Sequence, residues 1–216
     1  MTAYVDCLKL SSVEDELLLR RSPEERRRRA AACRRVEDAR RCLAAGVLLR
    51  RAAERMGYTG EILTQTNEYG KPKLVLADDF SFSLAHAGDW VVIGYGNSPI
   101  GIDVEPIAQR RDISALAARF FTAEEIDYLS AGDAEEIPLR FARIWTGKES
   151  YVKYLGCGFA KMPPCSFSVD AEAGSICRAD GLTVTHFSPD PAHIVAVCGK
   201  WDALEREILL PDALEG

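Results

Sequence analysis

The residues with the clearest chemistry are acidic and lie in two separated stretches. Ile100-Gly101-Ile102-Asp103-Val104-Glu105-Pro106 alternates apolar and acidic side chains. On an extended strand Ile100, Ile102 and Val104 fall on one side, while Asp103 and Glu105 share the other. Residues two apart on a strand lie roughly 6 to 7 Å apart at Cα, so both carboxylates can reach one hard cation without bending the backbone. A half-buried strand with a polar outer face gives the same pattern, and a metal site therefore needs a third oxygen donor from elsewhere. From about Leu139 a helical period begins, in which Phe141, Ile144, Trp145, Val152 and Leu155 form an apolar stripe ended by Gly156. Trp145, Glu149 and Lys153 are spaced four apart there and stack along one side of the helix. Glu149 is the candidate third carboxylate, and an ordinary surface Glu to Lys pair is the plainer account of its spacing.

The second chemical theme is a basic first quarter. Residues 1 to 55 carry 14 Lys or Arg against 9 Asp or Glu, although the whole chain has a net charge of −6. The Arg26 to Arg29 run, together with Arg34, Arg35, Arg40 and Arg41, forms either a solvated helix surface or a phosphate clamp. Lys71 lies in the Gly/Pro corner Tyr69-Gly70-Lys71-Pro72, and His86 sits near the end of a strand beside the turn Ala85-His86-Ala87-Gly88-Asp89. Arg110 and Arg111 follow the acidic strand in a loop. The acidic remainder of the chain argues against broad nucleic-acid binding.

With 216 residues, 47% of them apolar, the chain can bury a real core, which excludes disorder. Its longest uncharged apolar runs fall far short of a membrane span, and the start MTAYVDCLKL lacks a signal pattern, so a cytoplasmic protein is expected. Seven cysteines, at 7, 33, 42, 157, 165, 177 and 198, include no Cys-x-x-Cys pair, which argues against a disulfide framework or a thiolate zinc site.

The elements that must position these residues follow from local signals. Tyr4 to Leu10 reads as a first strand, and Ser22-Pro23-Glu24-Glu25 as a helix start with Ser22 at the N-cap. A longer helix runs from about Glu37 to Met56, with Leu43, Val47, Leu48 and Ala52 inward and Gly57 as its stop. Phe80 to Leu84 and Trp90 to Tyr95 read as a hairpin, and Thr122-Ala123-Glu124-Glu125 as a capping box opening a further helix. Strand-like runs recur at Ser166 to Val169, Leu182 to Phe187 and Ile194 to Cys198, followed by a polar tail from Trp201. Phe82 to Gly96 and Val184 to Gly199 are faintly alike about 100 residues apart, which hints at duplication.

Three of these segments together resemble one family. Gly101-Ile102-Asp103-Val104-Glu105 and Trp145-Thr146-Gly147-Lys148-Glu149-Ser150-Tyr151-Val152-Lys153, with Tyr69-Gly70-Lys71-Pro72 and Leu84-Ala85-His86-Ala87 in support, are similar to signatures of the 4′-phosphopantetheinyl transferases. The likeness is to the longer single-chain type that activates peptide and polyketide synthases, and it covers roughly residues 22 to 160.

The resemblance implies an α+β fold in which two similar halves, each a small mostly antiparallel sheet packed with helices, form a pseudo-dimer with the site in the cleft between them. The halves are drawn at 1–99, with the coenzyme A phosphate contacts, and 100–216, with the metal carboxylates and the catalytic helix. The implied reaction moves the phosphopantetheine arm of coenzyme A onto a serine of an apo acyl or peptidyl carrier protein and releases adenosine 3′,5′-bisphosphate. Asp103, Glu105 and Glu149 would hold Mg²⁺, and Glu149 would also activate the serine, directly or through water. Lys153 would neutralise phosphates, Lys71 and His86 would contact those of coenzyme A, and Arg41 would grip the adenosine 3′-phosphate. Arg28 or Arg29 would add a further phosphate contact. The implied enzyme is a cytoplasmic monomer that binds neither nucleic acid nor membranes.

Two departures from the family pattern bear on coenzyme A binding. Ala85 and Ala87 flank the histidine where serines are usual, and Cys42 stands where threonine is common. The alternative reading is accordingly a module of the same fold that binds coenzyme A or a carrier domain without turnover.

Overall fold

The computed structural model describes residues 1–75, 79–108, 112–158, 168–170, 175–177 and 182–214, with the backbone alone at 168–170 and 175–177. Arg110, Arg111, Cys165 and the first part of the expected 166–169 strand lie outside the described residues.

In chain order the elements are β1 (Thr2–Lys9), α1 (Asp15–Arg21), α2 (Glu24–Ala31), α3 (Val36–Arg55), β2 (Thr64–Thr66), β3 (Pro72–Leu74), β4 (Ser81–Ala87) and β5 (Trp90–Gly96). There follow β6 (Ile100–Pro106), α4 (Ile113–Phe120), α5 (Ala123–Ser130), α6 (Ile137–Leu155), β7 (Ser168–Asp170), β8 (Ser175–Cys177), β9 (Thr183–Asp190), β10 (His193–Gly199) and β11 (Ala203–Leu209). The fold is mixed α+β, and the chain divides into two compact units, Met1–Ile100 with Trp201–Gly216, and Gly101–Lys200.

In the first unit a four-stranded sheet has the order β11-β1-β5-β4, with β1/β5 and β4/β5 antiparallel. The inner face of α3 carries Leu43, Val47, Leu48 and Ala52, all buried, as its period predicts. They pack with Leu8 of β1, Phe82 of β4 and Ile93 and Tyr95 of β5 in one apolar core. Gly57, with φ of 83°, follows α3 in the left-handed region and ends it as expected.

Three local readings are corrected. Ser22 does not cap α2: its backbone N–H closes α1 on Leu18 O at 3.0 Å, and Pro23 takes the N-cap position with no side-chain cap. The hairpin turn is shorter than expected, because β4 continues through His86, paired with Val91, to Ala87, paired with Trp90. Residues from Trp201 are not a tail attached to the second half. β11 pairs in parallel with β1 over Thr2 to Leu8, and Leu209 and Leu214 enter the first unit's core.

In the second unit the sheet order is β6-β10-β9-β8-β7, with β7/β8, β8/β9 and β9/β10 antiparallel. The core joins Phe121, Phe141, Ile144 and Tyr151 to Val184, Ala196 and Cys198. The Thr122 capping box forms as predicted, with Thr122 N donating to Glu125 Oε2 at 2.8 Å and Glu125 N donating to Thr122 Oγ1 at 3.4 Å. Gly156, at φ of 66°, terminates α6. Leu155, assigned to the apolar stripe of that helix, is 40% exposed instead.

Candidate active site

Two groups of functional side chains emerge, one within each unit. In the second unit the acidic strand β6 lies directly against α6. A Cβ at Gly101 would stand 1.9 Å from Ser150 O and 2.4 Å from Tyr154 N, so only glycine lets the two backbones meet there. Ser150 and Tyr154 immediately follow Glu149 and Lys153 on α6, and Gly101 is two residues before Asp103. The close approach therefore sets the charged residues of the strand beside those of the helix.

The charges influence one another. Lys153 Nζ donates to Asp103 Oδ1 at 2.7 Å, and Asp103 is 6% exposed. Glu149 is half-buried, and its carboxyl is pushed up to about 7, first by burial, then by the charge of Asp103 and further by Glu105, with Lys153 opposing. Of the four side chains that the sequence points to, Asp103 and Lys153 are in direct contact, and Glu149 is influenced by the charges of Asp103, Lys153 and Glu105.

The donor set suits a hard divalent ion, since it consists of carboxylate oxygens whose repulsion a cation would relieve. As placed, with Lys153 on one Asp103 oxygen, no group of three His, Cys, Asp or Glu is arranged to hold a metal ion among the described residues.

A buried ion pair anchors α6 next to this cluster in sequence. Lys148 Nζ lies 3.0 Å from Glu125 Oε2, and the side chains are 1% and 0% exposed. Lys148 precedes Glu149, so the buried pair fixes the turn from which Glu149 projects.

In the first unit a pocket of about 370 Å³ is lined by Arg26, Arg29, Cys33, Arg41, Cys42 and His86, among others. Arg41 donates to Asp38 Oδ1 at 2.9 Å and to Gly88 O at 3.3 Å. Arg40, its neighbour, turns away and donates to Leu10 O and Val13 O, which makes it a structural tie between α3 and the segment after β1. His86 is exposed on β4, and Ala85 lines the pocket beside it.

The remaining predicted contacts lie elsewhere in this unit. Lys71 is not among the pocket-lining residues; its Nζ donates to Ile100 O at 3.2 Å. Arg28 sits on the outer side of α2, with a 77% exposed side chain paired to Glu24 at 3.0 Å, while Arg29 faces the pocket. Of the two candidates for the one further phosphate contact, Arg28 and Arg29, it is Arg29 that lines the pocket. Arg26 was not singled out, although the helical period contains the signal: three residues before Arg29 and four before buried Ala30, it shares their face of α2.

Residues 99–198 match the model of the 4′-phosphopantetheinyl transferase superfamily. The chain is 34% identical over 184 residues to 4′-phosphopantetheinyl transferase Sfp of Bacillus subtilis (strain 168), covering 81% of this chain and 80% of that protein. It belongs to the 4′-phosphopantetheinyl transferase superfamily. Other members of the superfamily that it resembles are 4′-phosphopantetheinyl transferase psf-1 of Bacillus pumilus, 34% identical over 179 residues with 79% of this chain and 76% of that one covered. A phosphopantetheinyl transferase of Thraustochytrium sp. is 33% identical over 193 residues, covering 79% of this chain and 67% of that protein.

Proposed function

We propose that this protein transfers the 4′-phosphopantetheine arm of coenzyme A to a serine of an apo acyl or peptidyl carrier protein and releases adenosine 3′,5′-bisphosphate. The observation that carries the reading is the convergence of Asp103, Glu149 and Lys153 in one unit of a chain that is itself a member of the transferase superfamily. The two units are proposed to be versions of one plan, a pseudo-dimer. Each sets a long helix, α3 or α6, before an antiparallel pair, β4/β5 or β9/β10, which supports that view.

One coenzyme A molecule is proposed to engage both groups of residues. Arg41, Arg29 and His86 take the nucleotide phosphates, with Lys71 as a further contact outside the pocket lining. Guanidinium groups suit this task because they grip phosphate bidentately and stay charged. Arg28 is left out of the proposal, since its charge is spent on Glu24 at the surface.

Asp103, Glu105 and Glu149 would hold Mg²⁺, which when bound offsets charge on the phosphoryl group and on the departing phosphate. Lys153 supplies a fixed ammonium beside Asp103, placed to receive a phosphate oxygen as the charge develops. Glu149 is the group proposed to exchange the serine proton; without the metal, burial and its acidic neighbours bring its carboxyl to about 7, and a bound Mg²⁺ would lower it. In the transfer the serine Oγ–P bond forms as the bridging P–O bond of the pyrophosphate breaks. The electron pair leaves on adenosine 3′,5′-bisphosphate, and the serine proton passes to the carboxylate, directly or through water.

A cytoplasmic, monomeric enzyme is the accompanying proposal; no described helix is long and apolar enough to cross a membrane. Incubating the protein with coenzyme A, Mg²⁺ and a panel of apo carrier proteins tests the reading by intact mass. A phosphopantetheine mass gain on a carrier, matched by released adenosine 3′,5′-bisphosphate, is expected. Coenzyme A binding without transfer to any carrier would instead favour the binding-module alternative, for which Ala85 in the pocket lining is the supporting feature.

A further inference from the structure

The pocket of the first unit contains a charge that the protein does not neutralise. Arg26 is 7% exposed and lines the pocket, yet among the described residues no carboxylate is ion-paired with it. Its Nε is buried without a hydrogen-bond partner. The nearby acidic group, Glu25, is committed elsewhere: it accepts from Thr64 N and Thr64 Oγ1, both at 2.7 Å, and lies 3.6 Å from Arg29. Burying a guanidinium without a counter-charge costs free energy, so an unligated pocket of this kind is an unfavourable arrangement that an anion would complete.

The slot is also built to keep that side chain where it is. A Cβ at Gly46 on α3 would fall 2.8 Å from Arg26 Cβ and Cγ, and 2.4 Å from Ser22 Oγ. The absence of a side chain at Gly46 lets α2 press onto α3, and small Cys42, one turn earlier on α3, lines the pocket beside Arg26. Burial, with the charge of Arg29 close by, holds the Arg26 guanidinium below its ordinary value, and Cys42 and the Glu25 carboxylate only partly oppose this. An anion in the pocket would oppose the same penalty far more strongly.

We infer that Arg26 is the buried anion receptor of this pocket and that its guanidinium receives a phosphate oxygen of the bound coenzyme A. The inference rests on the reading of the protein as a coenzyme A user and adds to it a residue from the inner face of α2. It also assigns a division of work along the arginine run. Arg27 and Arg28 neutralise Glu24 at the surface, while exposed Arg29 and buried Arg26 line the pocket.

Calorimetric titration of the metal-free protein with coenzyme A tests this, combined with thermal melting of the ligand-free protein. The expected result for Arg26→Met is affinity reduced by roughly ten- to a hundredfold, the range of one lost charge-assisted hydrogen bond. Its ligand-free melting temperature should equal or exceed that of the parent, because an uncompensated buried charge has been removed. A parent that binds coenzyme A and an Arg26→Met variant that binds it equally tightly would overturn the inference while leaving the proposed function standing. A parent that does not bind coenzyme A would overturn both. Should Arg26→Met fail to fold, Arg26→Lys decides by the same titration: loss of the planar fork is expected to weaken binding, and parent-like affinity would overturn the assignment.

Discussion

Lys148 and Glu125 form an ion pair of 3.0 Å with both side chains essentially sealed from water, one residue along the helix from Glu149. Glu125 performs two tasks at once, since the oxygen that meets Lys148 also accepts the Thr122 N–H that closes the start of α5. The pair therefore ties the register of α6 to the N-terminus of α5, and through α6 to the position of Glu149.

Removing one member leaves the other charged and buried. Lys148→Met is expected to cost about 3 to 5 kcal/mol in urea unfolding. The double variant Lys148→Met with Glu125→Gln should be more stable than the sum of the single losses, which a double-mutant cycle measures directly. Additive losses would show that the two groups do not act as a pair.

Gly101→Ala is expected to destabilise the second unit by about 2 to 4 kcal/mol, because the new methyl group meets the backbone of α6 and no flexible side chain can yield. Thermal unfolding checks this. A parent-like melting curve would contradict the close contact between β6 and α6.

His186 gives a pH dependence with a definite sign. Its Nε2 donates to Arg143 O at 3.0 Å, its Nδ1 is buried without a partner, and burial lowers its value to about 4. The unfolded chain takes up a proton on this group near pH 6.5 and the folded chain only near 4, so folding stability contributed here falls as pH drops through that interval. The full effect is on the order of 3 kcal/mol, and it is absent above about pH 7. The stability difference between the parent and His186→Phe, measured in urea at pH 7.5 and pH 4.5, should shift toward the variant at the lower pH. A difference that stays constant would contradict a neutral imidazole with a buried Nδ1.

Deleting residues 201–216 removes β11 and, among the described residues, four ion pairs: Arg51 with Glu207 at 3.0 Å, Arg55 with Glu205 at 2.7 Å and with Glu207 at 3.8 Å, and the chain's amino terminus with Asp202. It also uncovers the edge of β1 that carries Asp6, a carboxyl with no exposure that pairs with Arg51 at 2.5 Å. The shortened chain is expected to melt at least about 5 °C lower. An unchanged melting temperature would mean that these residues do behave as a tail.

Features that depend on near neighbours in sequence were legible before the structure. The alternation of Ile100 to Glu105, the four-residue spacing of Glu149 and Lys153, the Thr122 capping box and the glycine stops at Gly57 and Gly156 each carry their signal within one turn or one strand. What escaped was set by distant partners. The parallel pairing of β11 with β1 joins residues about 200 apart, and its polar outer residues read as a tail because their apolar partners lie at the other end of the chain. Ser22 has the chemistry of an N-cap, yet the preceding helix α1 claims its backbone first. Arg26 was hidden among four consecutive arginines, and the helical phase that buries it becomes decisive only when Gly46 is seen to receive it.

The account stands most directly on the joint action of the β6 and α6 carboxylates in phosphopantetheine transfer, and intact-mass analysis of an apo carrier protein incubated with coenzyme A and Mg²⁺ measures it. The parent is expected to convert the carrier to its heavier form, with conversion stopped by a chelator. Asp103→Asn and Glu149→Gln are each expected to reduce the rate by at least about a hundredfold while keeping a folded circular dichroism spectrum. Full conversion at the parent rate by either folded variant would contradict the account.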